Sequence, residues 1–323
     1  MSLQIDITHQ AGSFRLCIQH EFPDGATAVI GPSGSGKSML LRSIAGIITP
    51  DSGSISCGEH TWLDTTRHIE LPPQKRHAGY LFQQYALFEN KTVCGNIMTG
   101  MRGSRQQKQQ QCEQLMQRFH LTEQAKLHPA QLSGGQRQRT ALARMLGAKP
   151  EVLLLDEPFS ALDTHLRTQL RYEMSDVLRD HAGTSLLITH DFSEAMQLCT
   201  QAVVLANGSI AEQGSCQQLW EHPKTLTCAQ LTGMQNFLPV PPQMLPHDGK
   251  EYCLGIRPRD LQPADGNEQL ILSGTVVRCF TGLSGVQVVL QCEHGLLLWE
   301  HDCAPEIGSM LSLAAKNWHI LQK

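Results

Sequence analysis

Residues 152 to 155 read Val-Leu-Leu-Leu and run straight into Asp156 and Glu157, an apolar stretch with no polar face. A strand that is apolar on both sides is what a parallel sheet covered by helices requires. The pattern therefore predicts a buried central strand whose two acids stand at its carboxyl end, where open α/β sheets bind ligands. Residues 185 to 190, Ser-Leu-Leu-Ile-Thr-His, repeat the design with His190 at the tip. A third short run, Ala-Thr-Ala-Val-Ile at 26 to 30, precedes Leu40, Leu41, Ile44, Ala45 and Ile48, which recur at helical spacing. Cys112, Leu115, Met116 and Phe119 have the same spacing inside a glutamine-rich stretch, so residues 106 to 118 are expected to form an amphipathic helix with a solvated glutamine face. The run from Ala202 turns at Asn207 and Gly208, a hairpin signal.

The pattern changes at residues 236 to 250, where four prolines predict a stiff linker lying outside any core. Short β-rich runs follow at 270–280, 285–290, 295–301 and 310–316, separated by turn residues, which suggests a small all-β barrel. The expected organisation is an α/β domain over residues 1–235, with a helical subdomain at about 84–150, then a linker and β-barrel over 236–323.

A chain of 323 residues is long for one ordinary core and agrees with two domains. Its net charge of −4 argues against a nucleic-acid partner, which calls for a strongly basic face. The eleven cysteines are scattered, odd in number and free of any C-x-x-C pair, so idle thiols in a reducing cytoplasm are expected rather than a disulfide or zinc framework. No stretch approaches the ~20 apolar residues of a membrane span. The first residues lack the basic and apolar regions of a signal peptide, so a cytoplasmic location is expected.

One motif carries explicit chemistry. Gly31, Pro32, Ser33, Gly34, Ser35, Gly36, Lys37 and Ser38 fit the phosphate-loop pattern G-x-x-x-x-G-K-S without a mismatch, between a strand and a helix. Glycines let main-chain N–H groups approach an anion with no Cβ in the way. Lys37 supplies a mobile charge for the β- and γ-phosphates, Ser38 a hydroxyl for Mg²⁺, and the helix its positive end.

Leu-Ser-Gly-Gly-Gln at 132 to 136, the Asp-Glu-Pro of 156 to 158, Ser-Ala-Leu-Asp at 160 to 163 and Thr-His-Asp at 189 to 191 follow that loop in order. Together they resemble the ATPase subunit of ABC transporters over residues 1 to about 235. The resemblance implies a phosphate-loop α/β fold of the ABC type with an inserted helical subdomain, ATP and Mg²⁺ as cofactors, and two copies meeting head to tail. ATP would then lie between the phosphate loop of one copy and Ser133, Gly134, Gly135 and Gln136 of the other. It further implies that Asp156 holds Mg²⁺ together with Ser38 and Gln83, that Glu157 polarises the attacking water, that His190 contacts the γ-phosphate, and that Asp163 ends a loop crossing to the partner copy. Gln84 is the adjacent alternative to Gln83. The adenine would stack on Phe14, for which a place in the core of an alternating strand is the competing reading.

The tail resembles the oligonucleotide-fold (TOBE-type) domain appended to importer ATPases, on the strength of Leu-Gly-Ile-Arg-Pro-Arg-Asp-Leu at 254 to 261. Import then implies two transmembrane permease subunits, an extracytoplasmic solute-binding protein acting indirectly, and a peripheral position on the inner face of the cell membrane. Residues 14–38 and 62–88 most resemble molybdate importer ATPases, with sulfate, tungstate, iron(III) and polyamine importers as near relatives. An ABC ATPase not coupled to transport, and an oxyanion sensor built on the tail, stand as rival readings.

Overall fold

The computed structural model describes residues 2–160, 164–246, 248–266, 268–282 and 285–323. They form two compact units, Met1–Cys216 and Gln217–Lys323. In the first unit the strands are β1 (Leu3–Ala11), β2 (Phe14–Phe22), β3 (Gly25–Ile30), β4 (Ser52–Cys57), β5 (His60–Asp64), β6 (Ile69–Glu70), β7 (Ala78–Leu81), β8 (Val152–Asp156), β9 (Thr184–Ile188), β10 (Gln201–Ala206) and β11 (Ser209–Ser215). Its helices are α1 (Lys37–Ala45), α2 (Val93–Met98), α3 (Arg105–Arg118), α4 (Gly134–Gly147), α5 (Thr164–Asp180) and α6 (Phe192–Leu198).

Alternation decides the first sheet. Leu3, Ile5 and Ile7 of β1 are buried while Gln4 and Asp6 face water, and the antiparallel register sets Ile7 opposite Ile18 of β2. The order is β2-β1-β4-β5-β6. Continuous apolar runs decide the second sheet, ordered β11-β10-β3-β9-β8-β7, in which all five residues of β8 and of β9 are buried. Strands β10, β3, β9, β8 and β7 run parallel, and β11 returns antiparallel to β10 through Asn207 and Gly208, both with positive φ. Leu40, Leu41 and Ile44 of α1 share one core with Leu3, Ile7 and Ile18 of the first sheet and Val29, Leu154 and Ile188 of the second. Each such side chain contributes about 1.5–3 kcal/mol by leaving water, so α1 and the loop before it are held by the core of both sheets.

The glutamine-rich stretch is α3. Ser104 and Gln107 form its capping box, and Cys112 and Met116 are its buried residues. The eleven cysteines are all free thiols. No helix among the described residues is long and apolar enough to cross a membrane.

In the second unit the strands β12 (Asn236–Leu238), β13 (Tyr252–Ile256), β14 (Leu261–Pro263), β15 (Ile271–Gly282), β16 (Gly285–Cys292), β17 (Gly295–His301), β18 (Met310–Ala315) and β19 (His319–Gln322) are paired antiparallel. Among the described residues they form two sheets, β12-β13-β19 and β14-β18-β15-β16-β17, over a shared core of Leu238, Ile256, Val288, Trp299 and Leu313. The residues expected to be a linker outside any core are a correction. Asn236–Leu238 is a strand, and Leu238 and Val240 are buried in the core. The side chain of Asn236 fixes this segment by exchanging two hydrogen bonds with the backbone of Leu298, at 2.7 and 2.8 Å. Prolines 239 and 241 flank Val240 without removing any donor that these contacts need. The expected boundary at 235 accordingly falls inside the second unit, which begins at Gln217 and includes the short helix Leu226–Leu231.

One buried charge serves the frame of the first unit. Arg76 is 1% exposed. It donates to the carbonyls of Leu71, Ser43 and Ile44 at 2.8 to 2.9 Å, so it caps the last turn of α1. Burial pushes its pKa down, and Glu70 partly opposes this. Replacing it strands three carbonyls away from water, at about 1–3 kcal/mol each before relaxation. Arg76→Met is therefore expected to lower stability by about 3 kcal/mol or more, read as a fall in the urea midpoint; an unchanged midpoint would remove Arg76 from this role.

Candidate nucleotide site

The loop from Gly31 to Gly36 joins β3 to α1. Gly34 and Gly36 lie at φ 79° and 100°, angles that residues with a Cβ rarely adopt. Gly31 is required for another reason: a methyl group there would stand 2.3 Å from the carbonyl oxygen of Leu205. Pro32, Ser33 and Gly34 form the exposed crest, and Ser35 is buried with an Oγ that has no hydrogen-bond partner among the described residues. Lys37 is 7% exposed, and its Nζ donates to the carbonyls of Gly31 and Pro32 at 2.8 and 2.9 Å. Burial pushes its pKa down, while Glu157 and Asp156 pull it up. An ammonium folded onto its own loop in this way can exchange two carbonyl oxygens for phosphate oxygens with little movement.

The acids of β8 part company at the end of the strand. Asp156 is 5% exposed; its Oδ1 accepts from Ser38 Oγ at 2.9 Å and its Oδ2 from the Tyr80 hydroxyl at 2.8 Å. Burial, reinforced by Asp156, pushes the phenol pKa of Tyr80 up, so the tyrosine remains a donor. Glu157 takes a left-handed φ of 46°, and its N–H donates to Ile188 at 3.2 Å. Its carboxylate meets Gln83 Nε2 at 3.4 Å and His190 Nδ1 at 3.8 Å, and Gln83 Nε2 also reaches Ser160 Oγ at 3.2 Å. His190 is exposed, on a turn held from below: Arg171 of α5 donates to Asp191 at 3.1 Å and to Glu194 at 2.6 Å.

Ser133 caps α4. Its Oγ accepts from Gln136 N at 3.3 Å, and Gln136 Oε1 accepts from Ser133 N at 2.9 Å. Gly134 and Gly135 form the first turn, where a methyl on Gly135 would meet Leu166 at 2.7 Å. The Gln136 amide is thus engaged in the cap. Among the described residues, the hydrogen bonds of this segment stay within α4 and do not reach the loop, Asp156, Glu157 or His190 of the same chain.

The chain is similar to known proteins over most of its length. The profile of the ABC transporter family matches residues 20–160. The sulfate/thiosulfate import ATP-binding protein CysA of Synechocystis sp. is 37% identical over 304 residues, spanning 89% of this chain and 84% of the relative. This chain belongs to the ABC transporter ATP-binding proteins. A probable CysA of Chlorella vulgaris is 40% identical over 73% of the chain and 100% of its own length. The Fe(3+) ions import ATP-binding protein FbpC 2 of Pectobacterium atrosepticum is 42% identical over 64% of the chain and 60% of its own length. In fold, the chain is similar to a dimeric ATP-binding cassette in a post-hydrolysis state bound to ADP and Pi, with a TM-score of 0.57 and 24% identity over 67% of this chain and 99% of the other. The chain is an ATPase of the ABC type, carrying the phosphate-loop fold and a C-terminal all-β unit.

The donor set of this ABC ATPase suits a hard divalent cation. Ser38 Oγ and Asp156 Oδ1 are adjacent oxygens beside the phosphate loop, and no group of three or more His, Cys, Asp or Glu side chains that could hold a metal ion occurs among the described residues. Mg²⁺ is ordinarily completed by substrate phosphates and water rather than by a protein cage, so one hydroxyl and one carboxylate are enough. Phe14 is half-buried against the core, and its ring lies 3.1 to 3.2 Å from where methyl groups on Gly36 and Gly208 would stand. It borders the loop, yet part of its surface is committed to packing. Asp163 lies outside the described residues.

Tyr80 and Ser160 were not anticipated. Tyr80 sits on β7 at the carboxyl edge of the sheet, where its register with Leu154 places it near Asp156, and Ser160 belongs to the motif that ends at Asp163. Only the parallel pairing of β7 with β8 makes either visible. Gly36→Ala combines a disfavoured φ with a methyl 2.8 Å from Leu16 Cδ1. It is expected to cost about 1–3 kcal/mol and to lower the melting temperature and ATP affinity together. A variant with wild-type values of both would show the loop indifferent to that backbone angle.

Proposed function

We propose that this ABC ATPase is the energising subunit of an importer for an inorganic oxyanion, working as a head-to-tail pair on the inner face of the membrane beneath two permease subunits fed by an extracytoplasmic binding protein. The observation that carries the catalytic part is the convergence of Ser38 with Asp156, and of Gln83 and His190 with Glu157, at the carboxyl ends of four neighbouring strands, β3, β9, β8 and β7. Phosphoryl transfer needs positioning and charge neutralisation more than covalent chemistry. Lys37 and the N–H groups of residues 33–38 would bind the β- and γ-phosphates, and Ser38 and Asp156 would hold Mg²⁺, which offsets charge on the phosphate oxygens when bound. Glu157 would orient the attacking water by accepting its hydrogen bond, His190 would donate to the γ-phosphate, and Gln83 would position both water and metal. The α4 end with Ser133, Gly134 and Gly135 would close the site from a second copy, which accords with its separation from the loop of its own chain. Phe14 would flank the adenine, and Asp163 would cross to the partner copy.

The expected ranking of solutes placed molybdate first. The relatives described above are named for sulfate/thiosulfate and for iron(III), so sulfate moves ahead and molybdate draws no support from them. With the permease and binding protein reconstituted in vesicles, sulfate is expected to stimulate ATP hydrolysis more strongly than molybdate or iron(III). Stimulation by iron(III) alone would overturn the oxyanion reading.

Two substitutions test the division of labour. Glu157→Gln removes the charge but not the shape, so ATP affinity is expected to stay within about twofold while turnover falls by about 100-fold or more. Lys37→Ala removes the one buried cation of the loop and is expected to weaken ATP binding by about 10-fold or more. Normal steady-state hydrolysis in the first variant, or unchanged affinity in the second, would sink the corresponding assignment.

A further inference from the structure

Between Gln83 and α2 the chain makes a turn that its own residue types disfavour. Tyr85 and Ala86 are consecutive and both left-handed, at φ 61° and 45°. Side chains with a Cβ enter this region at a cost, and a pair of them persists only where the surroundings hold it. Both carbonyls of the turn are held by one residue, Arg144 in the last turn of α4. Its Nη1 donates to the Ala86 carbonyl at 2.7 Å and its Nη2 to the Tyr85 carbonyl at 2.9 Å, while the guanidinium lies 5.3 Å from the centroid of the Phe88 ring. Three contacts from one planar group fall within four consecutive residues, on Tyr85, Ala86 and Phe88. A lysine ammonium reproduces the charge but not the fork. Burial pushes the pKa of Arg144 down, which marks the guanidinium as desolvated and dependent on these acceptors.

Downstream, the turn is fixed independently. Asn96 of α2 is fully buried; it accepts from Phe88 N at 2.9 Å and donates to the carbonyls of Phe88, Lys91 and Thr92, each at 3.1 Å. What remains free to follow Arg144 is therefore the upstream arm, which ends in Gln83 against Glu157 and Ser160. At its other end α4 begins at Ser133, Gly134 and Gly135, and Arg139 ties its middle to Glu173 of α5 through two bonds of 2.8 and 2.9 Å. The helix rises about 1.5 Å per residue, so some 15 Å of a single rigid element separates Gly134 from Arg144.

We infer that Arg144 is a positioning residue that holds the left-handed Tyr85–Ala86 turn and through it sets Gln83 against Glu157, so that one end of α4 governs the water-directing carboxylate of its own chain while the other faces the partner's nucleotide. This rests on the proposed function for the roles of Gln83, Glu157 and the α4 end. It adds a physical link between the two sites of a pair: the partner's ATP is met at Ser133, and the same helix adjusts Gln83 three turns away.

The test is steady-state ATPase kinetics of the full-length chain, with ATP binding followed separately by a fluorescent nucleotide. Arg144→Lys is expected to leave ATP affinity within about twofold and to lower kcat by about 10- to 100-fold, the range that a misplaced catalytic contact produces. Because Arg144 acts through Gln83, the same substitution in a Gln83→Ala background is expected to change kcat by less than about twofold. Glycine takes the left-handed angle without penalty, so adding Ala86→Gly to Arg144→Lys is expected to restore most of the lost kcat. Undiminished loss in the Gln83→Ala background, no rescue by Ala86→Gly, or a wild-type kcat in Arg144→Lys each overturns the proposal. Should Arg144→Lys not fold, Ala86→Gly alone decides, since it keeps every Arg144 contact: unchanged kcat supports the inference and a tenfold drop overturns it. A wild-type chain without ATP hydrolysis would instead overturn the proposed function, and is distinguished by its lack of any kcat to compare.

Discussion

The two hydrogen bonds to Asp156 hold the site together. Ser38 comes from α1, Tyr80 from β7 and the carboxylate from β8, so three segments far apart in sequence meet on one side chain that is almost wholly buried. A buried carboxylate is tolerated only where both oxygens are satisfied. Here the two hydroxyls satisfy them, and in doing so fix the spacing between the phosphate loop and the strand that carries Glu157. Removing either donor leaves an uncompensated oxygen in the middle of the sheet edge.

That fixed spacing lets adjacent acids differ. Asp156 continues the strand and points at Ser38, whereas Glu157 leaves it through a left-handed backbone angle and turns toward Gln83 and His190. The strain at Glu157 is offset by its N–H bond to Ile188 and by the fully buried strands β8 and β9. A second strained element, the turn at Tyr85 and Ala86, is held by Arg144 in a similar manner. The first lies at the proposed reacting atoms and the second leads to them through Gln83, and strain held there by a rigid surround serves preorganisation rather than stability.

Charge at the site is arranged by burial as much as by pairing. Lys37 loses water and gains the attraction of Glu157 and Asp156, and it rests meanwhile on neutral carbonyls rather than in a direct ion pair. Such a cation remains available to an incoming phosphate, because it gives up two dipoles and not a carboxylate. The half-buried position of Phe14 beside the same loop follows from the need to cover Gly36 and Gly208, whose missing side chains leave a shallow surface.

Local pattern determined much of this molecule. The apolar runs at β3, β8 and β9, the glycines of the loop, the helical spacing within α3 and the Asn207–Gly208 hairpin are each legible because their causes lie within a few residues: period and backbone freedom. The ordered motifs likewise brought out Asp156, Glu157 and His190. The sequence by itself did not disclose Tyr80 on Asp156, Ser160 on Gln83, Arg76 under α1 or Arg144 on the Tyr85–Ala86 turn, since each is a contact across tens of residues that only parallel strand order and helix packing create. Nor did composition foresee that residues 236 to 240 enter a core. Prolines report where a backbone donor is missing, but whether the apolar residues between them are buried depends on which strand arrives beside them, and that was decided by the pairing of β12 with β13 and the grip of Asn236 on Leu298.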